Sequence, residues 1–312
     1  MKKSILFLIL LLILPLSGCC EAQELPTQPA PAEETSCRDR DYLLLVRVGQ
    51  ELRELSLEDY LAGVLLAEMP AEFSPEALKA QAIAARTFAL RKAATARHTD
   101  CHVCSESSCC QGWLPIEGCD GQTARKLRRA VAETDGLVLT YGEQLIDATF
   151  FSCSGGRTEA AVAVWGGEVP YLQAVDSPGE ETAPVYEREQ RWTAEELRQL
   201  LGDKLPEANT EGDPAGWFED LRYSPGGGIY SLELGGVFLR GTELRRLLGL
   251  RSTRLTVEVT GEEICIRTYG YGHRVGLSQY GAEAMAKEGK SCGEILLYYY
   301  QGAQLQRLAQ GE

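Results

Sequence analysis

Glu68 occupies a position where its residue type is out of place. In LAGVLLAEMPAEFSPEALKAQAIAARTF, residues 61–88, and just before it, Leu57, Tyr60, Leu61, Val64 and Leu65 recur at helical spacing, and the next position on that apolar stripe is a carboxylate. A carboxyl at the edge of a core loses hydration, which penalises its ionised form and raises its pKa toward the range a general acid needs near neutral pH. Glycosidic bonds require such an acid, because an alkoxide leaves poorly without a proton. The competing reading has no chemistry in it: a helix-end glutamate turned to water or paired with Lys79 or Arg86.

A second constellation is HTDCHVCSESSCC, residues 98–110, in which His98, Cys101, His102, Cys104, Cys109 and Cys110 crowd one loop. Six soft donors exceed the four that a closed zinc site uses. In an exported chain disulfides compete for the same residues, and ten cysteines, an even number, follow Cys19. Adjacent Cys109 and Cys110 are awkward as a mutual disulfide. There is no HExxH, so a zinc hydrolase has little to stand on.

Elements must hold these groups in place. Strands are expected over YLLLVRV (43–49) and the segment after it, and a helix opening at Ser56 with Glu58 and Asp59 in its first turn. Pro70 closes that helix by disfavouring helical geometry at Met69. Ser74-Pro75-Glu76 restarts one, to about residue 96, whose alanines suit the centre of a fold. The cysteine-dense loop 97–120 follows, then a helix near 123–133, strands LVLTY and ATFFS, and a Gly-rich bend at SCSGGRT (152–158). Residues 176–228 read as polar and turn-rich with one good helix, begun by the capping box Thr193-Ala194-Glu195-Glu196. Strands IYSLEL and LTVEV bracket the helix TELRRLLG, a third strand ICIRTY runs into YGHRVGLSQYGA, and helices near 281–288 and 292–300 finish the chain. The fold class is α+β, with mixed helices and antiparallel strands in two lobes around a groove that holds Glu68.

At 312 residues and 44% apolar, the chain can bury a real core. A net charge of −14 argues against nucleic-acid partners and against general affinity for anionic membranes. Lys2 and Lys3 precede an apolar run from Ile5 to Leu14, too short for a span and suited to a secretory signal. That run leads to Leu16-Ser17-Gly18-Cys19, which resembles the bacterial lipoprotein box with Cys19 as the lipidated residue; an ordinary signal peptide or an uncleaved anchor are the alternatives. Each places the remainder outside the cytoplasm, residues 1–19 being the signal and 20–40, rich in Pro, Ala and Glu, a tether.

Longer motifs carry a family resemblance. LEDYLAGVLLAEMPAEFSPEALKAQAIAARTFAL, GTELRRLLGLRST and YGHRVGLSQYGAEAMAKEGKSCGEILLYYYQGAQL, in that order, resemble the stage II sporulation protein D family of peptidoglycan lytic transglycosylases over residues 41–307. The resemblance implies that Glu68 protonates the oxygen between N-acetylmuramic acid and N-acetylglucosamine, then helps the muramoyl C6 hydroxyl close a 1,6-anhydro ring, on glycan stripped of peptide. It implies glycan contacts from Lys79 and Arg86, from the bend formed by Ser152, Ser154, Gly155, Gly156 and Thr158, and from His273 and Gln279; Trp165 and Tyr171 would stack on sugars or fill core. Arg274 stands where the family usually has glycine. Family members that hold structural zinc here imply His98, Cys104 and Cys110, with a fourth ligand from Cys109, Cys101 or His102. Implied partners are a wall amidase and engulfment membrane proteins, at the mother-cell membrane facing the intermembrane space. The alternative from the same family is an amidase-enhancer-type protein that binds wall without cleaving it.

Overall fold

The computed structural model describes residues 38–308; the expected signal, the expected tether as far as residue 37, and Cys19 lie outside them. Arg38 leads into a 3-10 turn, Asp39–Asp41, that begins inside the stretch 20–40 expected to be tether. Strands β1 (Leu43–Val48) and β2 (Glu51–Ser56) form an antiparallel hairpin with Leu43 opposite Ser56. Helix α1 (Leu57–Glu68) starts at Ser56, whose hydroxyl accepts from the Asp59 N–H at 3.1 Å. It stops where Pro70 holds Met69 extended, so Glu68 is its last residue.

Helix α2 (Pro75–Ala94) is the centre of the larger core, with 13 residues buried. Its alanines let other elements approach closely. Ser74 does not cap it through its side chain; Ser74 instead gives its N–H, at 2.6 Å, and its hydroxyl to Glu283. After α2 come β3 (Val103–Cys104), α3 (Gly121–Glu133, capped by Asp120), β4 (Leu137–Tyr141), β5 (Gln144–Leu145), β6 (Phe150–Phe151) and the short α4 (Ala161–Trp165). The second half runs β7 (Glu187–Thr193), α5 (Ala194–Lys204), β8 (Phe218–Tyr223), β9 (Ile229–Leu234), β10 (Val237–Arg240), α6 (Gly241–Leu247), β11 (Leu255–Thr260) and β12 (Glu263–Tyr269). It closes with β13 (Leu277–Ser278), α7 (Gln279–Lys287), α8 (Cys292–Tyr299) and β14 (Gln304–Arg307).

The class is α+β. The strands make small sheets that are antiparallel except where β1 meets β3 and β6 meets β13. Two hydrophobic cores form, one around α1 and α2, the other from Leu197, Leu201, Trp217, Leu232, Leu244 and Ile264. Strands β7 and β8 fall in the stretch that reads as turn-rich from sequence. EREQRWT has no apolar alternation to announce it, and it becomes a strand because β12 pairs with it along its length, Arg191 meeting Glu263 and Arg267 meeting Glu189. Among the described residues no helix is long and apolar enough to cross a membrane.

Candidate functional site

Glu68 lies at the wall of a cleft of about 530 Å³. Ala67 and Glu68 come from the end of α1, Phe88 from α2, Phe150, Phe151 and Ser152 from β6 and the residue after it, Arg245 from α6, and Tyr271, His273 and Gln279 from the chain leading into α7. Among the described residues lining it, Glu68 is the one carboxylate. Its Oε1 accepts the Gly112 N–H at 2.6 Å. Burial raises its pKa above the ordinary glutamate value, opposed by the Gly112 N–H and the Gln279 amide, which favour the ionised form. Gln279 is close enough to exert that influence, yet its Nε2 has no hydrogen-bond partner among the described residues. A buried amide left open toward a cleft is a donor waiting for an acceptor.

The loop that supplies Gly112 is fixed from two sides. Gln111 accepts from the Tyr60 hydroxyl at 3.1 Å and donates to the Ala85 carbonyl. One residue earlier, Cys110 belongs with His98, Cys104 and Cys109 to a cluster whose donor atoms all lie within 4.8 Å of one another. His98 Nε2 is 3.2 Å from Cys110 Sγ and 3.7 Å from Cys109 Sγ. Of the three residues the sequence offers as a fourth member, the fold gathers Cys109. His102 instead accepts from the Leu45 N–H through Nδ1, and Cys101 sits by Arg47. None of the eight described cysteines is in a disulfide. Trp113 packs against α1 at Gly63, where a Cβ would collide with the indole, so a glycine in mid-helix lets the loop come close enough to reach Glu68.

His273 lines the same cleft, its ring between Phe151 at 5.6 Å and Trp165 at 5.3 Å. Burial, with Arg245 as the nearby positive charge, pushes its pKa down to about 4, so it is neutral at pH 7. Its Nδ1 accepts from the Val275 N–H at 3.1 Å. His273 is therefore a fixed piece of wall rather than a titrating group.

A family model described as stage II sporulation protein matches residues 48–141, the segment holding Glu68, Gly112 and the four clustered loop residues. Over 271 residues the chain is 40% identical to stage II sporulation protein D of Bacillus subtilis (strain 168), covering 82% of this chain and 76% of that protein. The chain belongs to the stage II sporulation protein D family. Stage II sporulation protein D of Bacillus amyloliquefaciens is 38% identical over equal shares of both chains. The amidase enhancer of Bacillus subtilis (strain 168) is 30% identical over 78% of this chain, which spans 40% of that longer protein.

Several residues picked out through the family resemblance stand elsewhere in the fold. Arg86 is wholly buried and paired with Asp39 at 2.6 Å, with further bonds to the Leu137 and Val131 carbonyls and the Thr134 hydroxyl. It ties Asp39 to α3 and β4 and is not among the described residues lining the Glu68 cleft. Lys79, seven positions earlier and so on the same face of α2, pairs with Glu76 at 2.9 Å and Glu133 at 2.6 Å. That face meets α3, whereas Phe88, about half a turn round from Arg86, faces the cleft.

Of the Ser-Gly-Gly bend only Ser152 lines the cleft. Gly155 and Gly156 adopt left-handed φ of 71° and 103°, and their N–H groups turn inward with those of Ser154 onto Glu180 Oε2. The bend is an anion-binding nest already filled by a carboxylate of this chain. At Gly155 a Cβ would stand 2.6 Å from the Tyr269 backbone, so the glycine serves close packing. Thr158 bonds Val175 through both backbone and hydroxyl, and Tyr171 is buried, its hydroxyl accepting from the Asp147 N–H. Glu180 also accepts from Ser278, the cap of α7 directly before Gln279.

Arg274 keeps the backbone that a glycine would choose, with φ of 67°. Its guanidinium is buried and donates to the carbonyls of Ser154, Arg157 and Gly226 and to Glu159. Arg245 and Tyr271 are cleft residues that sequence reasoning passed over. Nothing local to TELRRLLG separates Arg245 from Arg246, and only the packing of α6 against the cleft distinguishes it.

Proposed function

We propose that this protein is a peptidoglycan lytic transglycosylase, with Glu68 as the acid that protonates the leaving oxygen between N-acetylmuramic acid and N-acetylglucosamine. The observation that carries this reading is a single carboxyl, raised in pKa by burial, in a cleft whose other described lining residues bring no second carboxylate. A glycosidase that uses water ordinarily works with a pair of carboxyl groups. Intramolecular attack by the muramoyl C6 hydroxyl consumes no water, so Glu68 gives its proton to the leaving oxygen and then receives one from that hydroxyl. The carboxylate formed in the first step is stabilised by the Gly112 N–H. Gln279 Nε2 is free to hold a sugar oxygen beside the reacting bond.

His98, Cys104, Cys109 and Cys110 would hold a structural zinc ion. Tetrahedral coordination at bond lengths of about 2.0–2.3 Å sets donors roughly 3.5–3.8 Å apart, which the observed spacings approach. Burial pushes the Cys110 thiol up to about 12, so its thiolate needs a cation beside it. Four protein donors leave no place for a reactive water, and the ion's contribution is to pin the loop that delivers the Gly112 N–H. The protein acts at the outer face of a membrane to which Cys19 or an uncleaved leader tethers it, during sporulation, alongside a wall amidase and engulfment membrane proteins.

The amidase enhancer relative motivates a second reading, a wall-binding protein without catalysis. Mass spectrometry of products from peptide-free glycan strands separates the two. Anhydro-muramic ends from wild type and none from Glu68→Gln support the transglycosylase; reducing ends indicate a hydrolase. Intact glycan from a folded protein that still binds wall indicates the non-catalytic reading.

A further inference from the structure

Next to the Glu68 cleft, and sharing Arg245 and Tyr271 with it, lies a second hollow of about 410 Å³. Its lining brings together Arg188 of β7, Arg245 and Arg246 of α6, and Arg251. Although the protein carries a net charge of −14, all four of these guanidinium groups lack a carboxylate within 4.0 Å among the described residues, and they line one hollow. By contrast, Arg86 pairs with Asp39, Arg274 with Glu159 and Arg267 with Glu189. Arg245 is the most deeply set of the four, its Nε donating to the Leu250 carbonyl, and burial lowers its pKa. Arg251 lies over the ring of Tyr271, a residue of both hollows, at 5.2 Å. Gathering like charges is unfavourable until an anion enters, and planar guanidinium forks suit a carboxylate.

We infer that this arginine-lined hollow is a carboxylate-binding subsite continuous with the Glu68 cleft, reading the acid group carried by a muramoyl residue of the bound strand. The inference rests on the glycan-cleaving reading of the cleft and adds the feature by which the enzyme selects its strand. A strand of N-acetylglucosamine alone is neutral, whereas every muramic acid carries a lactyl carboxyl, free unless a peptide is joined to it. Carboxylates of a peptide stem share that chemistry, and the two sources differ in what amidation of the lactyl group does. A free lactyl carboxylate sits close to the ring and engages the hollow without carrying a stem past Tyr271.

Calorimetric titration of the full chain carrying Glu68→Gln, which keeps the strand intact, tests this with four probes. These are peptide-free strands, the same strands with carboxyls converted to methylamides, strands bearing stems, and neutral N-acetylglucosamine oligomers. Adding Arg188→Gln and Arg246→Gln, both exposed positions, is expected to weaken peptide-free strands at least about tenfold, by loss of charge-assisted bonds. Methylamide strands should bind the parent as weakly as peptide-free strands bind the variant, and neutral oligomers should bind both proteins alike. Arg251→Gln, made separately, should reproduce the loss. A loss confined to stem-bearing strands overturns the lactyl assignment in favour of the stem. Binding that ignores the arginines and the methylamides overturns the subsite while leaving the cleft reading intact. A parent that binds no strand at all overturns both.

Discussion

Replacing Arg274 by glycine tests whether a buried network offsets a strained backbone. The residue sits at φ of 67°, which costs an L-residue roughly 1–2 kcal/mol relative to a right-handed conformation. Glycine removes that cost. Against it stands the loss of a guanidinium with no exposed side-chain surface, bonded to three carbonyls and to Glu159, itself almost wholly buried. Without the arginine, Glu159 keeps the Ser224 hydroxyl at 2.6 Å and the Gly228 N–H at 3.0 Å but loses its countercharge. Breaking a buried pair from one side costs about 3–5 kcal/mol. The difference is a net destabilisation of roughly 2–3 kcal/mol for Arg274→Gly, or about 3–5 °C in Tm for a chain of this size. Arg274→Ala loses the same bonds and keeps the strain, so it should fall about 1 kcal/mol further. Urea unfolding of the three proteins measures both differences. A glycine variant as stable as wild type would refute the claim that the network compensates the backbone, and an alanine variant at least as stable as the glycine one would refute the strain.

The remaining predictions concern Glu68 and its supports. Because its folded pKa is raised, the protonated acid persists to higher pH than an ordinary glutamate, and kcat should fall as pH rises through that value. The same shift is a stability statement: the protonated carboxyl suits the fold, that advantage is complete below the ordinary glutamate pKa, and it fades as pH rises through the folded one. Thermal unfolding across pH should therefore show Glu68→Gln gaining on wild type as pH increases over that window; a pH-independent difference would be inconsistent with the shift. In Gly112→Ala the added Cβ would stand 2.8 Å from Glu68 Oε1, displacing a flexible carboxylate rather than backbone. We expect cleavage to fall by about 10- to 100-fold with Tm nearly unchanged, since a displaced acid loses its geometry with the bond it protonates; unchanged turnover would remove Gly112 from the site. Treatment with a strong chelator should lower Tm and release about one zinc per chain by elemental analysis, with Cys104→Ser abolishing the metal content; a metal-free protein of undiminished stability would argue against the ion.

What the sequence determined is what local rules govern. Ser56, Pro70, Pro75 and the capping box at Thr193 act over a few residues, so the helix positions were legible, and with them the fact that Glu68 ends an apolar stripe. The crowding of His98, Cys104, Cys109 and Cys110 in one loop was legible for the same reason. Tertiary structure decided which matching residues share a site. Lys79 and Arg86 fit the family pattern as well as Glu68 does, yet their helix face turns to α3, and Arg86 is claimed by Asp39, 47 residues earlier in the chain. The Ser-Gly-Gly bend offers the same N–H groups to any anion, and only packing supplied Glu180 to fill it. Gln279 shares a cleft with Glu68, and Arg188 joins Arg245 and Arg251, across separations in sequence that no periodicity spans. A charge is defined by its residue, but whether it is paired, buried or left facing a cleft depends on the distant surface folded against it.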